Sequence, residues 1–107
     1  MSHSNASSLD RAVIQRCMKA AVQVVALKKG FLGGISTVWN GSGTVIHPGG
    51  LVLTNCHVAN PRAMGMPAPP ADRLAIAVTE RSDAPPVLTY FADIIAQTPE
   101  LDMAVLR

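Results

Sequence analysis

The sequence contains few of the residues that mark specialised classes of protein. Only two of its 107 residues are cysteines, aromatic residues make up 4% and charged residues 15%. Cys17 and Cys56 could form a single pair at most, so no disulfide framework is expected, and both are interpreted as small buried residues. The net charge is +2 and no basic cluster is present, so nucleic acid is not an expected partner.

Targeting and membrane-spanning segments are also missing from the sequence. No positively charged region followed by an apolar run occurs near the N-terminus, so no signal peptide is predicted and a cytoplasmic location is expected. The most apolar window, Ala20 to Leu27, is far shorter than the roughly 20 residues that cross a bilayer, so no membrane partner is expected. Hydrophobic residues make up 49% of the chain, which predicts one small domain with a packed core.

The pattern of apolar residues divides the chain into residues 1–20 and residues 21–107. In the first segment a short amphipathic α-helix is predicted from about Ser8 to Lys19, because apolar residues recur at helical spacing. In the second segment about six short strands are predicted, with turn signals between them. Helices do not alternate with these strands, so the sequence predicts an all-β fold, a small antiparallel β-barrel.

The predicted strands can be placed along the second segment. They cover residues 21–27, then residues 35–39, which a turn or bulge at Asn40-Gly41 leads into the hairpin runs 44–46 and 51–53, and then residues 74–78, 87–96 and 103–106. Asp93 is expected on the solvent face of the long strand. The aromatic residues Trp39, Tyr90 and Phe91 are interpreted as core or interface residues.

A hairpin within residues 41–59 contains the first candidate functional residue. Its turn, His47-Pro48-Gly49-Gly50, predicts a type II turn with a positive φ at Gly49. Asn55 follows the second strand of the hairpin and can cap a helical turn. His57 comes directly after that cap, so we expect an imidazole held at a strand end on a rigid framework.

Three combinations of residues could carry chemistry. His57 and Asp102, 45 residues apart, could form a general base and the carboxylate that orients it. Cys56 is disfavoured as a nucleophile activated by His57, because neighbouring side chains point in different directions. A metal site formed by Cys56, His57 and His47 is disfavoured because their spacing matches no zinc motif, so no metal or cofactor is expected, and His47 is interpreted as a turn residue.

The residues around this histidine and aspartate resemble a known family. Gly41-Ser42-Gly43-Thr44-Val45-Ile46 and Leu51-Val52-Leu53-Thr54-Asn55-Cys56-His57-Val58 are similar to the catalytic-histidine region of trypsin-like serine peptidases, in particular the HtrA/Deg-like branch. The segment from Tyr90 to Leu106 is similar to the aspartate segment of that family. The resemblance implies the first barrel of a double-barrel peptidase, with His57 as general base, Asp102 as orienting carboxylate and a polypeptide as substrate.

The sequence departs from the family in having no nucleophile segment. The family places its serine in a Gly-x-Ser-Gly-Gly-like segment of a second barrel, with the oxyanion hole and specificity pocket, whereas here the only serine between glycines, Ser42, precedes the histidine. The expectation is therefore a truncated N-terminal half that is inactive alone and needs the C-terminal barrel in cis or in trans. A half of this kind would expose an apolar face. The alternatives are a non-catalytic barrel that binds proteins and one half of a split protease.

Overall fold

Seven β-strands dominate the described part of the chain, which in this computed structural model comprises residue 11, residues 20–79, residue 85 and residues 87–107. The predicted helix from about Ser8 to Lys19, with Cys17, lies outside these residues apart from Arg11. The elements are β1 (Ala21–Lys29), β2 (Ile35–His47), β3 (Leu51–Thr54), α1 (Cys56–Ala59), a 3-10 turn (Pro61–Met64), β4 (Arg73–Val78), β5 (Val87–Ala92), β6 (Ile94–Thr98), a second 3-10 turn (Pro99–Leu101) and β7 (Met103–Leu106).

The strands form one curled antiparallel sheet in the order β5-β4-β1-β2-β3-β7-β6. A single residue, Asp93, links the two edge strands β5 and β6, so the sheet has to curl until its edges meet at that corner. The main chains of Asp93 and Arg107 exchange two hydrogen bonds of 2.9 Å, which fix the corner. The predicted small antiparallel β-barrel is therefore confirmed.

Two strand boundaries differ from the prediction. β2 runs without interruption through Asn40-Gly41, which pair regularly with β1, and the irregularity lies instead at Val38, opposite the Ala26/Leu27 step. The predicted strand over residues 87–96 is two strands, because the N–H and C=O groups of Asp93 bond to Arg107 instead of continuing a ladder. Asp93 is exposed, as predicted.

The turn between β2 and β3 is not the predicted type II turn. The N–H of Gly50 donates to the carbonyl of His47 over 3.0 Å, but the positive φ, 93°, falls at Gly50 and not at Gly49. The hairpin uses a longer connection in which Val45 pairs with Val52 and His47 with Leu51, and a glycine with positive φ after the turn is typical of such a bulge. His47 is a turn residue, as interpreted, and its Nδ1 accepts a hydrogen bond of 2.8 Å from the N–H of Gly49.

The core is built mainly from alanine and valine, and β1 contributes several of its buried residues. Val24 and Val25 are adjacent and point to opposite faces of the sheet, yet both are buried. The barrel interior contains Val22, Val24, Val52, Val58, Ala59, Ile76, Ala92, Ala104 and Leu106. A second cluster on the outer face contains Val25, Leu27, Ala75 and Ala77. Over the described residues, no helix has the length and apolar character needed to cross a membrane.

Two glycines of β2 allow close packing, Gly41 against α1 and Gly43 against the neighbouring strands. A Cβ atom at Gly41 would lie 2.6 Å and 2.7 Å from the two methyl carbons of Val58, and one at Gly43 would lie 2.9 Å from Val52. These distances are too short for non-bonded carbon atoms, so only glycine fits at these positions without movement of its neighbours. Gly41 thus sets how closely α1 approaches the barrel.

Substitution of Gly41 by alanine should destabilise the protein. The added methyl group would overlap the stiff, buried side chain of Val58, and overpacking of this kind costs about 1–3 kcal/mol. The measurement is the free energy of unfolding in urea. Gly34→Ala is the matched control, because a Cβ atom there has no neighbour within 4 Å and its φ is not positive. Equal stability of the two variants would contradict this account of the packing.

Candidate active site

His57 lies on the exposed side of the single helical turn α1. The N–H groups of Val58 and Ala59 both donate to the carbonyl of Asn55 over 3.1 Å, which forms the turn directly after β3 ends. The indole Nε1 of Trp39 donates to the carbonyl of Val58 over 2.7 Å and ties the turn to β2. Cys56 and Val58 are buried, whereas the side chain of His57 is 43% exposed.

Asp102 lies at the start of β7 in an unusual backbone conformation. Its φ of 51° and ψ of 49° are left-handed, and among the described residues it is the only non-glycine residue with a positive φ. This conformation costs about 1–2 kcal/mol for an L-residue other than glycine, although Asp and Asn adopt it more readily than most. The 3-10 turn Pro99–Leu101 leads into it, and the N–H of Asp102 donates to the carbonyl of Pro99 over 3.1 Å.

The pairing of β3 with β7 brings the predicted histidine and aspartate together. Thr54 pairs with Ala104, so Asp102 lies beside the first residues of α1. Its Oδ1 accepts a hydrogen bond of 2.8 Å from the main-chain N–H of His57, and its Oδ2 lies 2.6 Å from His57 Nδ1. Both residues of the predicted pair are therefore in direct contact, although 45 residues separate them.

The two bonds also determine the charge and proton arrangement of the pair. The pKa of Asp102 is lowered, first by the main-chain N–H of His57 and then by the bond to its ring, while desolvation acts weakly in the opposite direction. An ionised carboxylate only accepts hydrogen bonds, so Nδ1 carries a proton and the neutral imidazole has its free lone pair at Nε2. No described residue hydrogen-bonds Nε2. The arrangement can therefore accept a proton there from an incoming group.

Three side chains around the pair have roles that the sequence reasoning did not identify. Asn55 is at the N-cap position but makes no side-chain capping bond; its Nδ2 donates to the main-chain carbonyl of Asp102 over 3.0 Å. Gln97 on β6 accepts a bond of 3.3 Å from the side chain of Asn60, and a polar amide in an otherwise apolar strand could have signalled this. Trp39 is half-buried and anchors α1, which is consistent with its interpretation as a core or interface residue.

The other predicted aromatic residues do not belong to the core. Tyr90 is 66% exposed and Phe91 is 55% exposed, so of the predicted core or interface positions the core is excluded for both. The ring of Phe91 lies 4.2 Å from the guanidinium of Arg73, a cation–π contact at the surface. Whether these rings contact another protein stays a prediction.

The alternatives to the His57–Asp102 pair receive no support from the geometry. Cys56 is buried, and burial, followed by the negative charges of Asp102 and Glu100, raises the pKa of its thiol, which disfavours the reactive thiolate. His47 pairs with Leu51, at the end of β3 opposite to α1, and the four residues of β3 span about 13 Å. The described ranges contain no group of three or more His, Cys, Asp or Glu side chains that could hold a metal ion.

The pair lies on the surface, and none of the described serines is in hydrogen-bond contact with it. No described serine hydrogen-bonds His57, and Ser42 lies within β2, where its carbonyl accepts a bond of 2.7 Å from Thr54 Oγ1. The most prominent cavity of the described residues, about 470 Å³, lies beside the C-terminal end of α1 and is lined in part by Asn60 and Arg62, but not by His57 or Asp102. A group that reacts with Nε2 therefore has to come from outside the described residues.

Comparisons with known proteins assign the chain to no family. No protein-family model matches it. No curated protein matches it either. A conclusion about function therefore depends on the geometry of the His57–Asp102 pair and on the resemblance of its motifs.

Asp102 should make the free energy of unfolding fall as the pH is lowered into the acid range. Its pKa is lower in the folded state than in the unfolded state, so its stabilising contribution is complete above the unfolded value of about 3.9 and is lost as the pH falls from there through the folded value. Asp102→Asn should remove this part of the pH dependence while tolerating the left-handed backbone. The measurement is urea unfolding between neutral and acid pH. Asp93→Asn, at an exposed carboxylate, is the control and should keep the wild-type profile; parallel profiles for all three proteins would contradict the prediction.

Proposed function

We propose that the chain is the base-bearing half of a trypsin-like serine endopeptidase, with His57 as general base and Asp102 as its orienting carboxylate. The observation that carries the proposal is the double attachment of His57 to Asp102, which leaves Nε2 of the partly exposed ring without a hydrogen bond to any described residue. The resemblance of the two motifs supplies the reaction class, which is hydrolysis of peptide bonds.

The geometry fits the proton transfers of that reaction. A serine hydroxyl would give its proton to Nε2 of His57 while its oxygen attacks the peptide carbonyl. The protonated imidazole would then give this proton to the leaving amine, and water would repeat the sequence on the acyl-enzyme. Throughout, the Asp102 carboxylate would accept the Nδ1–H and stabilise the imidazolium without taking its proton.

The serine and the oxyanion hole are proposed to come from a second barrel, in cis or in trans. Exposed apolar side chains support a second body packed against this one. Leu101 and Met103, which flank Asp102, are 70% and 37% exposed. Other large apolar side chains in solvent include Phe31, Leu32, Ile35, Val87, Leu88 and Ile95. Apolar surface beside the pair is what an interface at the catalytic face would bury.

The same exposed side chains would also suit a barrel that only binds other proteins. The left-handed Asp102 supports the peptidase over the binding module, because residues held in such conformations cluster at active sites. A binding module has no use for an imidazole oriented at this energetic cost. A split protease would use the same chemistry with its serine on another chain.

The chain alone should not hydrolyse peptides, whereas the complete translation product of its gene should react with a fluorophosphonate probe at a serine outside residues 1–107. His57→Ala should abolish labelling and casein hydrolysis, and Asp102→Asn should reduce turnover by about 10⁴-fold. Asp93→Asn is the control and should leave both unchanged.

Two results would overturn the proposal. The first is steady hydrolysis by the purified 107-residue chain that His57→Ala abolishes. The second is a complete translation product that reacts with no serine probe, either alone or with the chains of neighbouring genes added. The second result would favour the binding module.

A further inference from the structure

Asn55 occupies the N-cap position of α1, but its side chain makes no capping hydrogen bond. Asparagine is among the preferred residues at the N-cap, where its side chain normally accepts a bond from an N–H of the first helical turn. In α1 the side chain of Asn55 makes no such bond, and the N–H of His57 is satisfied by the carboxylate of Asp102 instead. The amide of Asn55 is therefore available for another partner.

That partner is the main-chain carbonyl of Asp102, 3.0 Å from Asn55 Nδ2. A carbonyl oxygen only accepts hydrogen bonds, so the NH₂ group of the amide has to face it. On the other side of the same residue, the N–H of Asp102 donates to Pro99. The left-handed backbone of Asp102 is thus bound on both sides, and its side chain leaves that backbone in the direction of His57.

We propose that Asn55 is a positioning residue of the His57–Asp102 pair: its amide holds the Asp102 carbonyl and keeps both carboxylate oxygens directed at His57. The catalytic meaning of this role rests on the proposed function, but the structural role does not. Asn55 and His57 stand two residues apart, so the same short segment supports the backbone of Asp102 and donates hydrogen bonds to its carboxylate.

The chemistry of the position explains why an amide is required. Serine would be an equally good N-cap, but its hydroxyl is on a shorter side chain than the amide that reaches Asp102. Aspartate would have the right size, but its carboxylate oxygens only accept hydrogen bonds and could not donate to the carbonyl of Asp102. The variant Asn55→Ser therefore separates helix capping from support of Asp102.

The test uses solution NMR of the 107-residue chain with the variants Asn55→Ser and Asn60→Ser. Asn60 is the matched control, because its amide also bonds a carbonyl oxygen beside α1, that of the Gln97 side chain. In the wild type and in Asn60→Ser, the Nδ1–H proton of His57 should give a low-field signal protected from exchange with water. In Asn55→Ser this proton should exchange at least several-fold faster, and the pKa of Asp102 should rise towards its ordinary value.

A purely structural role for Asn55 would lower the unfolding midpoint without moving either signal in the folded population. Wild-type exchange and an unchanged pKa of Asp102 in Asn55→Ser would overturn the proposal. If Asn55→Ser does not fold, Asn55→Gly takes its place, since glycine at the N-cap costs only a few tenths of a kcal/mol relative to asparagine. The same two signals decide the outcome.

The complete translation product provides a second readout. There Asn55→Ser should lower kcat/KM by about 10- to 100-fold, the size of effect expected when a reacting group is misplaced, whereas Asn60→Ser should not. If no serine is labelled but the NMR differences are found, the proposed function fails and the positioning role stands. If the enzyme is active and Asn55→Ser matches the wild type in both readouts, only the positioning role fails.

Discussion

One carboxylate holds the candidate site together. Asp102 accepts a hydrogen bond from the main-chain N–H of His57 with one oxygen and contacts the ring of the same residue with the other. The first bond fixes where the residue lies and the second fixes how its ring is turned. A carboxylate at the end of an ordinary extended strand would point to one face of the sheet; the left-handed conformation at Asp102 turns it towards α1 instead.

The barrel contributes by holding a helix that could not exist alone. Four residues form too short a helix to be stable in water, so α1 depends on its contacts with the rest of the protein. Trp39 donates a hydrogen bond to the carbonyl of Val58, Gly41 leaves room for the Val58 side chain, and Asp102 accepts a hydrogen bond from the N–H of His57. These attachments come from two distant parts of the chain, β2 and the residue before β7, so the position of His57 depends on how the strands of the sheet are paired.

Features encoded by short stretches of the sequence were predicted well, whereas contacts between residues far apart in the chain, the His57–Asp102 pair aside, were not. The barrel, the hairpin and the approach of His57 to Asp102 followed from strand patterns and from the resemblance of two motifs. The break at Asp93 could not be predicted, because it results from bonds to Arg107 at the far end of another strand. Asn55 was assigned a capping role for the same reason, since its true partner is 47 residues away. The turn at Gly49-Gly50 was misjudged by one residue because the length of the hairpin connection, not its composition, selects the turn.

The place of β7 in the sheet determines at which stage of folding the His57–Asp102 pair can form. β7 lies between β3 and β6, and its pairing with β3 joins segments that are distant in the chain. Such long-range pairings form late in folding, because the chain must first lose the entropy of closing a large loop. Until β7 docks, α1 has no cap and the imidazole has no carboxylate. Any partly folded state that lacks this one four-residue strand therefore lacks the hydrogen bond that fixes the tautomer of His57. Local opening of β7 would separate His57 from Asp102 while most of the sheet stays intact.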